Sequence, residues 1–447
     1  MRLLLPLVLL IPTAVRADLE PAWTWKADQA VEWCRPLGEP KHSAVAVGLK
    51  DGTVQIINII TALPRLEGPI RGKPGIRPAG QDIGGGQSAG VAYFFDRYTV
   101  TAVSVTDTFD RDEPRDAVRW TVGSAADVQN REAGDPEFIE KLVAAVATPA
   151  GVAVLNSEGK LSELARADGA IRWKADVGGG ANGALLADRS TLVAVVKGKG
   201  GADAWFIDLS APNTPPQRRS AGASEPIWRD LAREGLVAAW PGRLMMTTAE
   251  KDAARLGLKV KFPLKAALIG LHRRSAASNT AGRDLLITFD AGGDLAGHDV
   301  ATGENAWRAP TRDLGPFRPR RLALAGGLAI LADDDGPLTA FHADTGKLAA
   351  AWTGEGCERI LGVSATPRFV HALRVATRVE GMRRTRELQL IRTPIVRQGE
   401  WTKADAKAQQ AAEWLGPAAG VRECVWSPGR VLVVSDKLVR MFVLPAE

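Results

Sequence analysis

A short phrase recurs along this chain, and a chain that repeats itself folds into repeated units. Its two clearest copies are His298-Asp-Val-Ala-Thr-Gly-Glu-Asn-Ala-Trp307 and His342-Ala-Asp-Thr-Gly-Lys-Leu-Ala-Ala-Ala-Trp352. A third is Leu164-Ala-Arg-Ala-Asp-Gly-Ala-Ile-Arg-Trp173. In each, a strand ends near an Asp, a Thr-Gly or Asp-Gly pair makes a tight turn, and a second strand closes on Trp. Gly takes positive φ without steric cost, so such a pair between alternating runs is a strong hairpin signal. Upstream of each phrase lie another turn and an apolar strand: Ala329–Ala332 before Asp335-Gly336, Val152–Leu155 before Glu158-Gly159, and Leu285–Phe289 before Gly292-Gly293. Strand, turn, strand, turn, strand ending in Trp is the outer part of one blade of a β-propeller.

These phrases resemble the repeats of the quinoprotein-type propellers, the PQQ-like family. That group includes quinone-dependent alcohol dehydrogenases and the periplasmic scaffold lipoprotein of the outer-membrane β-barrel assembly machine. The resemblance implies that the Trp of one blade packs between neighbouring blades, cradled by a Thr-Gly turn. It also implies a protein partner as the default ligand. The enzymes of the family need a catalytic Asp, Ca²⁺ ligands from Glu and Asn or Asp, and a disulfide of adjacent cysteines. Here no two cysteines are adjacent and no motif holds the Ca²⁺ set, so the resemblance points to the non-catalytic branch.

The closing Trp residues form a ladder: Trp120, Trp173, Trp307, Trp352 and Trp401 hold the same relative place. Two weaker units, Gly183–Ser220 and Glu225–Phe262, lie between Trp173 and Trp307. Their expected strands are Thr191–Val196 with Ala204–Leu209, and Gly235–Trp240 with Arg243–Thr248. Near the start Ala44–Gly48 and Thr53–Ile60 make a hairpin about Asp51-Gly52, with Leu66 where a Trp would stand. The last unit has middle strands Arg430–Val434 and Lys437–Val443, and no closing strand follows them. Pro21-Ala-Trp-Thr-Trp25 reads as that missing strand, so the N-terminal segment, with Trp25 as its closing residue, is expected to complete the last blade. That pairing removes two exposed sheet edges.

Counted so, there are up to nine units, whereas propellers usually have about 4–8 blades. Eight four-stranded blades are therefore expected, with seven or nine as alternatives. The unit expected to be incomplete is Gly68–Trp120, interrupted by Gly84-Gly85-Gly86 and the charged run Asp110–Asp116. The whole of residues 18–447 reads as one all-β propeller domain. The main helical pattern is Lys403–Leu415, ending at Gly416-Pro417.

Residues 1–17 read as a secretory signal: Arg2, the apolar run Leu3–Ile11, and the small-x-small site Val15-Arg16-Ala17, with cleavage after Ala17. That run is too short to span a membrane, and no Cys follows it to take a lipid. The expectation is an exported monomer, in the periplasm or outside the cell, with no transmembrane segment and no lipid anchor. A formal charge of +6 over 447 residues is mild. The basic clusters Arg318–Arg321, Arg383–Arg386 and His272–Arg274 read as solvated loops or as contacts for an acidic partner, and no nucleic-acid motif accompanies them.

Three cysteines in an oxidising compartment leave one thiol over. Cys34, Cys357 and Cys424 each precede a Gly ahead of a blade's second strand, which places them on first, axis-lining strands. They read as one disulfide (Cys34–Cys424 stapling the closure), as a shared Cys₃ metal or cofactor site, or as buried unpaired thiols. Asp333-Asp-Asp335-Gly336 lacks the spacing of a calcium loop and reads as a hairpin turn. The glycine runs Gly178–Gly180 and Gly198–Gly201 read as connections between blades. His298 and His342 hold equivalent repeat positions, which favours a structural role, and His42, His272 and His371 lack metal-ligand spacing. No Gly-x-Ser-x-Gly elbow is present. No catalytic, cofactor-binding or metal residue is assigned and no cofactor is expected. PQQ with Ca²⁺ in a divergent oxidoreductase is the alternative to a binding or scaffold module.

Overall fold

The third repeat shows how the sequence makes its sheets. Gly151–Asn156 is buried along its whole length, so it is a central strand. Gly159 turns the chain at φ +86°, and the Asn156 side chain accepts hydrogen bonds from the backbone N–H of Glu158 and Lys160. Lys160–Ala165 returns, Gly169 turns at φ +74°, and Ile171–Asp176 closes with only Trp173 buried. Leu142–Thr148 pairs on the other side of Gly151–Asn156 and completes four antiparallel strands.

This computed structural model describes residues 18–37, 44–66, 68–81, 90–104, 118–123, 141–178, 183–198, 201–222, 226–232, 235–240, 243–247, 257–258, 268–273, 284–290, 292–311, 319–333, 337–352, 357–395, 411–427 and 429–444. Among them there is no helix, and the strands form nine four-stranded antiparallel sheets. In chain order the sheets begin with inner strands Val31–Leu37, Arg77–Gln81, Leu142–Thr148, Ala184–Ala187, Trp228–Ala232, Leu268–His272, Arg321–Ala325, Cys357–Ala365 and Val421–Ser427. Eight of them run inner to outer in simple chain order, which is the order of propeller blades.

The ninth sheet takes its outer strand from the other end of the chain. Trp23–Lys26 pairs antiparallel with Leu438–Val443, with Trp23 opposite Met441. Just before that strand, Leu19 N–H donates to the Trp414 carbonyl at 2.8 Å on the outer strand of the eighth sheet. The first described residues therefore bind two consecutive sheets.

An apolar cluster joins each sheet to the next. Val31, Cys34, Val45 and Val47 of the first sheet pack with Trp23, Leu432, Val434 and Met441 of the ninth, so sheets nine and one are joined like the others. Burying these faces at roughly 25 cal/mol per Å² of apolar surface is the main favourable term for such a fold.

Three expectations change. Gly68–Trp120, expected to be the incomplete unit, contains a full second sheet, giving nine sheets where eight blades were expected. Its central strands Val91–Phe95 and Val100–Ser104 are wholly buried, and that burial outweighs the missing Thr-Gly phrase. Second, Ala411–Leu415 is not helical: Ala411–Pro417 is the outer strand of the eighth sheet, where Trp414 and Leu415 gain burial that a lone helix would not give them. Third, in the seventh sheet Ala350, opposite Ala340, stands four residues after the turn glycine, where Trp173 and Trp307 stand in theirs. Trp352 lies one strand period further on, opposite Leu338. The expected signal at residues 1–17, Lys403–Gln410, Gly84–Gly86, Asp110–Asp116 and Asp334–Gly336 fall outside the described residues.

Candidate functional site

Two kinds of interface between sheets emerge from the closing tryptophans. In the first, an indole is latched to the next sheet. Trp120 Nε1 donates to the Arg166 carbonyl at 3.0 Å, and Trp307 Nε1 to the Ala343 carbonyl at 3.0 Å. Each acceptor lies three residues before a left-handed turn glycine, Gly169 or Gly346. A Cβ at Gly169 would come 2.9 Å from the Trp120 ring, and one at Gly346 would come 2.3 Å from the Trp307 ring. The bare backbone is what lets the ring lie there, and the carbonyl satisfies an N–H that would be costly to bury unpaired.

The same latch joins the ninth sheet to the first, with different residues. Trp23, not Trp25, is the buried ring, and its Nε1 donates to the Ile59 carbonyl at 2.7 Å. Three residues beyond Ile59 the left-handed position is filled by Ala62 at φ +62°, the one non-glycine residue with positive φ among those described. Trp25 is half-buried. Comparing Asn58-Ile-Ile-Thr-Ala62 with Asp299-Val-Ala-Thr-Gly303 exposes this turn in the sequence, once Ala is allowed in the glycine place.

The remaining closing positions are held otherwise. Trp173 Nε1 turns back to the buried Glu163 carboxylate at 2.8 Å, which also receives Thr148 at 2.6 Å and Arg172 at 2.9 Å. Trp352 lies under the Arg374 guanidinium, 4.6 Å from the ring centroid. Trp401 lies outside the described residues, and Trp414 is the buried Trp on the outer strand of that sheet.

The three cysteines stand on the inner strands of sheets one, eight and nine, which pack consecutively. Cys34 and Cys424 are both free, and the bridge between them weighed above is not formed. Cys34 faces the first–ninth interface and Cys424 the eighth–ninth, where Gly362 makes room for its sulfur. Burial, with the nearby Glu423 charge, pushes the Cys34 thiol well above its ordinary range, and burial pushes Cys424 up to about 12. Protonated buried thiols are poor nucleophiles and poor metal ligands. Among the described residues, no three His, Cys, Asp or Glu side chains gather as a metal ion would require, so no residues can be named for a Ca²⁺–quinone site. Burial also lowers the His298 pKa, and its Nε2 lies 3.1 Å from Thr288 Oγ1.

The eighth sheet departs from its neighbours. Its middle strands, Phe369–Glu380 and Arg383–Pro394, are 12 residues each, against 6 in the first sheet. The inner strand covers only Val370–Ala376, and the outer strand only Glu387–Arg392. Beyond that cover, Thr377–Glu380 pairs with Arg383–Arg386, a two-stranded ribbon whose outer edge is met at its base by the Ala418 N–H on the Arg386 carbonyl at 3.2 Å. Gly381 at φ +59° makes its two-residue turn, and Met382 at the apex is fully exposed.

Arg378 is neutralised on one face of the ribbon, by Asp18 at 2.9 Å, Glu380 at 2.7 Å and Glu387 at 3.3 Å. On the other face Val379, Arg384, Thr377 and Arg386 run down from the apex, since residues opposite one another share a face. Arg386 pairs with Glu358 at 2.7 Å, and a hydrogen bond from Thr377, then the Arg386 guanidinium, hold that carboxyl below its usual range. At the base a cavity of about 360 Å³ opens between the eighth and ninth sheets, lined by Arg359, Val375, Arg386 and the Ala418–Val421 turn. The sequence marked Arg383–Arg386 only as a basic cluster. The unusual length of the apolar-to-charged run Phe369–Pro394 was the signal for a projecting ribbon.

No known family profile matches this chain, and no curated protein does. Solved structures similar to it include BamB from Moraxella catarrhalis, at 14% identity, with 95% of this chain and 100% of that chain covered and a TM-score of 0.44. Sqt1 from Saccharomyces cerevisiae is similar at 11% identity, 96% and 100% coverage and a TM-score of 0.48. The C-terminal WD40 domain of Sif2 is similar at 9% identity, 96% and 99% coverage and a TM-score of 0.48. The fold itself is defined by the strand order and packing described above.

Proposed function

We propose that this protein is an exported, monomeric binding or scaffold module: a nine-bladed propeller of PQQ-like repeats, closed by its N-terminal strand, that engages a protein partner through the ribbon of the eighth blade. The observation that carries this reading is the ribbon. A two-stranded hairpin without a third strand is marginal in water, yet this one carries an exposed Met at its apex and charged residues on both faces. Rigid blades with one projecting ribbon are suited to holding a partner. At the latched interfaces the indole N–H groups are occupied within the fold and offer no such surface. The expected signal at residues 1–17 supports export.

The test is site-specific photo-cross-linking in the native host. A photoreactive residue replaces Met382 in one protein and Asp51, in the equivalent turn of the first sheet, in another. A discrete protein adduct from position 382 and none from position 51 is the expected result. Absence of any adduct at 382, or equal adducts at both, overturns the assignment.

A further inference from the structure

We infer that the ribbon and the cavity at its base receive an acidic, extended segment of a partner protein. This rests on the binding role proposed above and specifies the chemistry of the partner. Charge balance is the first argument. Within the ribbon and its base, Asp18, Glu380 and Glu387 are engaged by Arg378, and Glu358 by Arg386. Among the described residues no acid pairs with Arg359, Arg383 or Arg384. Arg384 lies on the face that descends to the cavity, and Arg359 lines the cavity beside Arg386. Guanidinium groups take carboxylates in paired, directional hydrogen bonds, so this strip is built for several carboxylates in a row.

Shape is the second argument. The cavity's volume of about 360 Å³ suits a few side chains and not a plane. Val379 and Val375 lie on the same face as Arg384 and Arg386, so small apolar contacts alternate with positive charge along the strip, while Arg383, opposite Glu380, lies on the other face. A membrane would be met by a larger cluster of apolar residues than the two exposed near the apex, Met382 and Val379. The outer edge is open from Arg383 to Thr385, since the outer strand covers only Glu387–Arg392. An open edge is where an extended chain can add as a further strand.

The probe is a labelled peptide of alternating Glu and Val, measured by fluorescence anisotropy against the full chain. The controls are the alternating Lys and Val peptide and vesicles of phosphatidylglycerol. The Glu/Val peptide is expected to bind at low salt, to weaken steeply as salt rises, and to bind at least ten-fold more weakly to the R384E protein and to R359E. These side chains are exposed, so the variants should keep the parent unfolding midpoint, which is measured alongside. Equal binding of the two peptides, unchanged binding after charge reversal, or binding to vesicles without binding to the peptide overturns the inference. If that happens while position 382 still cross-links a protein, only the acidic chemistry falls. If the cross-link is also absent, the binding role falls with it.

Discussion

The latched interfaces and the eighth sheet solve the same problem in opposite ways. Where the second sheet meets the third, and the sixth meets the seventh, a Trp ring lies on a glycine turn and its N–H reaches a carbonyl three residues upstream. The indole N–H is occupied within the fold at both interfaces. The eighth sheet instead pushes two strands past the cover of their neighbours and leaves a basic ribbon in solvent. Repetition marks what the fold needs, and the largest departure from it marks the candidate for function.

The largest effects of breaking this contrast belong to the latches. Trp120→Ala should cost about 3–5 kcal/mol, as for other buried large-to-small changes, read from denaturant unfolding. Trp23→Ala should cost far more than Trp25→Ala, because only the first ring is buried and bonded to the first sheet. Equal losses at the two positions would remove the distinction. Next in size is Gly346→Ala, at about 2 kcal/mol, from left-handed strain together with a collision on the Trp307 ring.

A sharper comparison comes from Ala62, which holds the position that Gly169 and Gly346 hold elsewhere. Ala62→Gly should stabilise the protein by about 1 kcal/mol, because it relieves the left-handed strain. A loss of stability would mean that the methyl's packing against Trp23 outweighs the strain. Smaller still is a pH effect at His298. Burial lowers its folded pKa, so the neutral ring is favoured in the fold. Stability therefore falls as pH drops below the unfolded value of about 6.5, and goes on falling until the lower folded value is passed. His298→Gln should flatten the corresponding slope of unfolding midpoint against pH. Smallest is Met382→Ser at the ribbon apex, which should leave stability within about 0.5 kcal/mol of the parent.

What the sequence revealed follows the same division. The phrases ending in Trp173, Trp307 and Trp352 disclosed the blades, because turn glycines and strand alternation are local chemistry. The strands Gly235–Trp240 and Arg243–Thr247 were legible even without the phrase. Two things were hidden because they depend on neighbours. Trp23 and Trp25 have the same local pattern, and only the position of Ile59 on the first sheet selects Trp23 as the latch. Ala411–Leu415 has helical composition, and it is a strand because the eighth sheet offers Glu387–Arg392 as an edge to pair with. The ribbon was hidden for a related reason. Arg383–Arg386 reads as an ordinary basic loop until the inner and outer strands are seen to stop short of it.

The most direct test of the account is to shorten the ribbon and measure what the protein still binds. Replacing residues 379–384 with Asn-Gly joins Arg378 to Thr385, which already face each other, through a turn suited to two strands and keeps the Arg378 pairs with Asp18 and Glu387. The shortened protein and the parent are then purified from the native host, and the amount of co-purifying partner is compared at equal unfolding midpoints. The account predicts that the partner is lost while the midpoint is unchanged. A partner retained in full by the shortened protein would contradict it, and would move the binding surface to another part of the sheets.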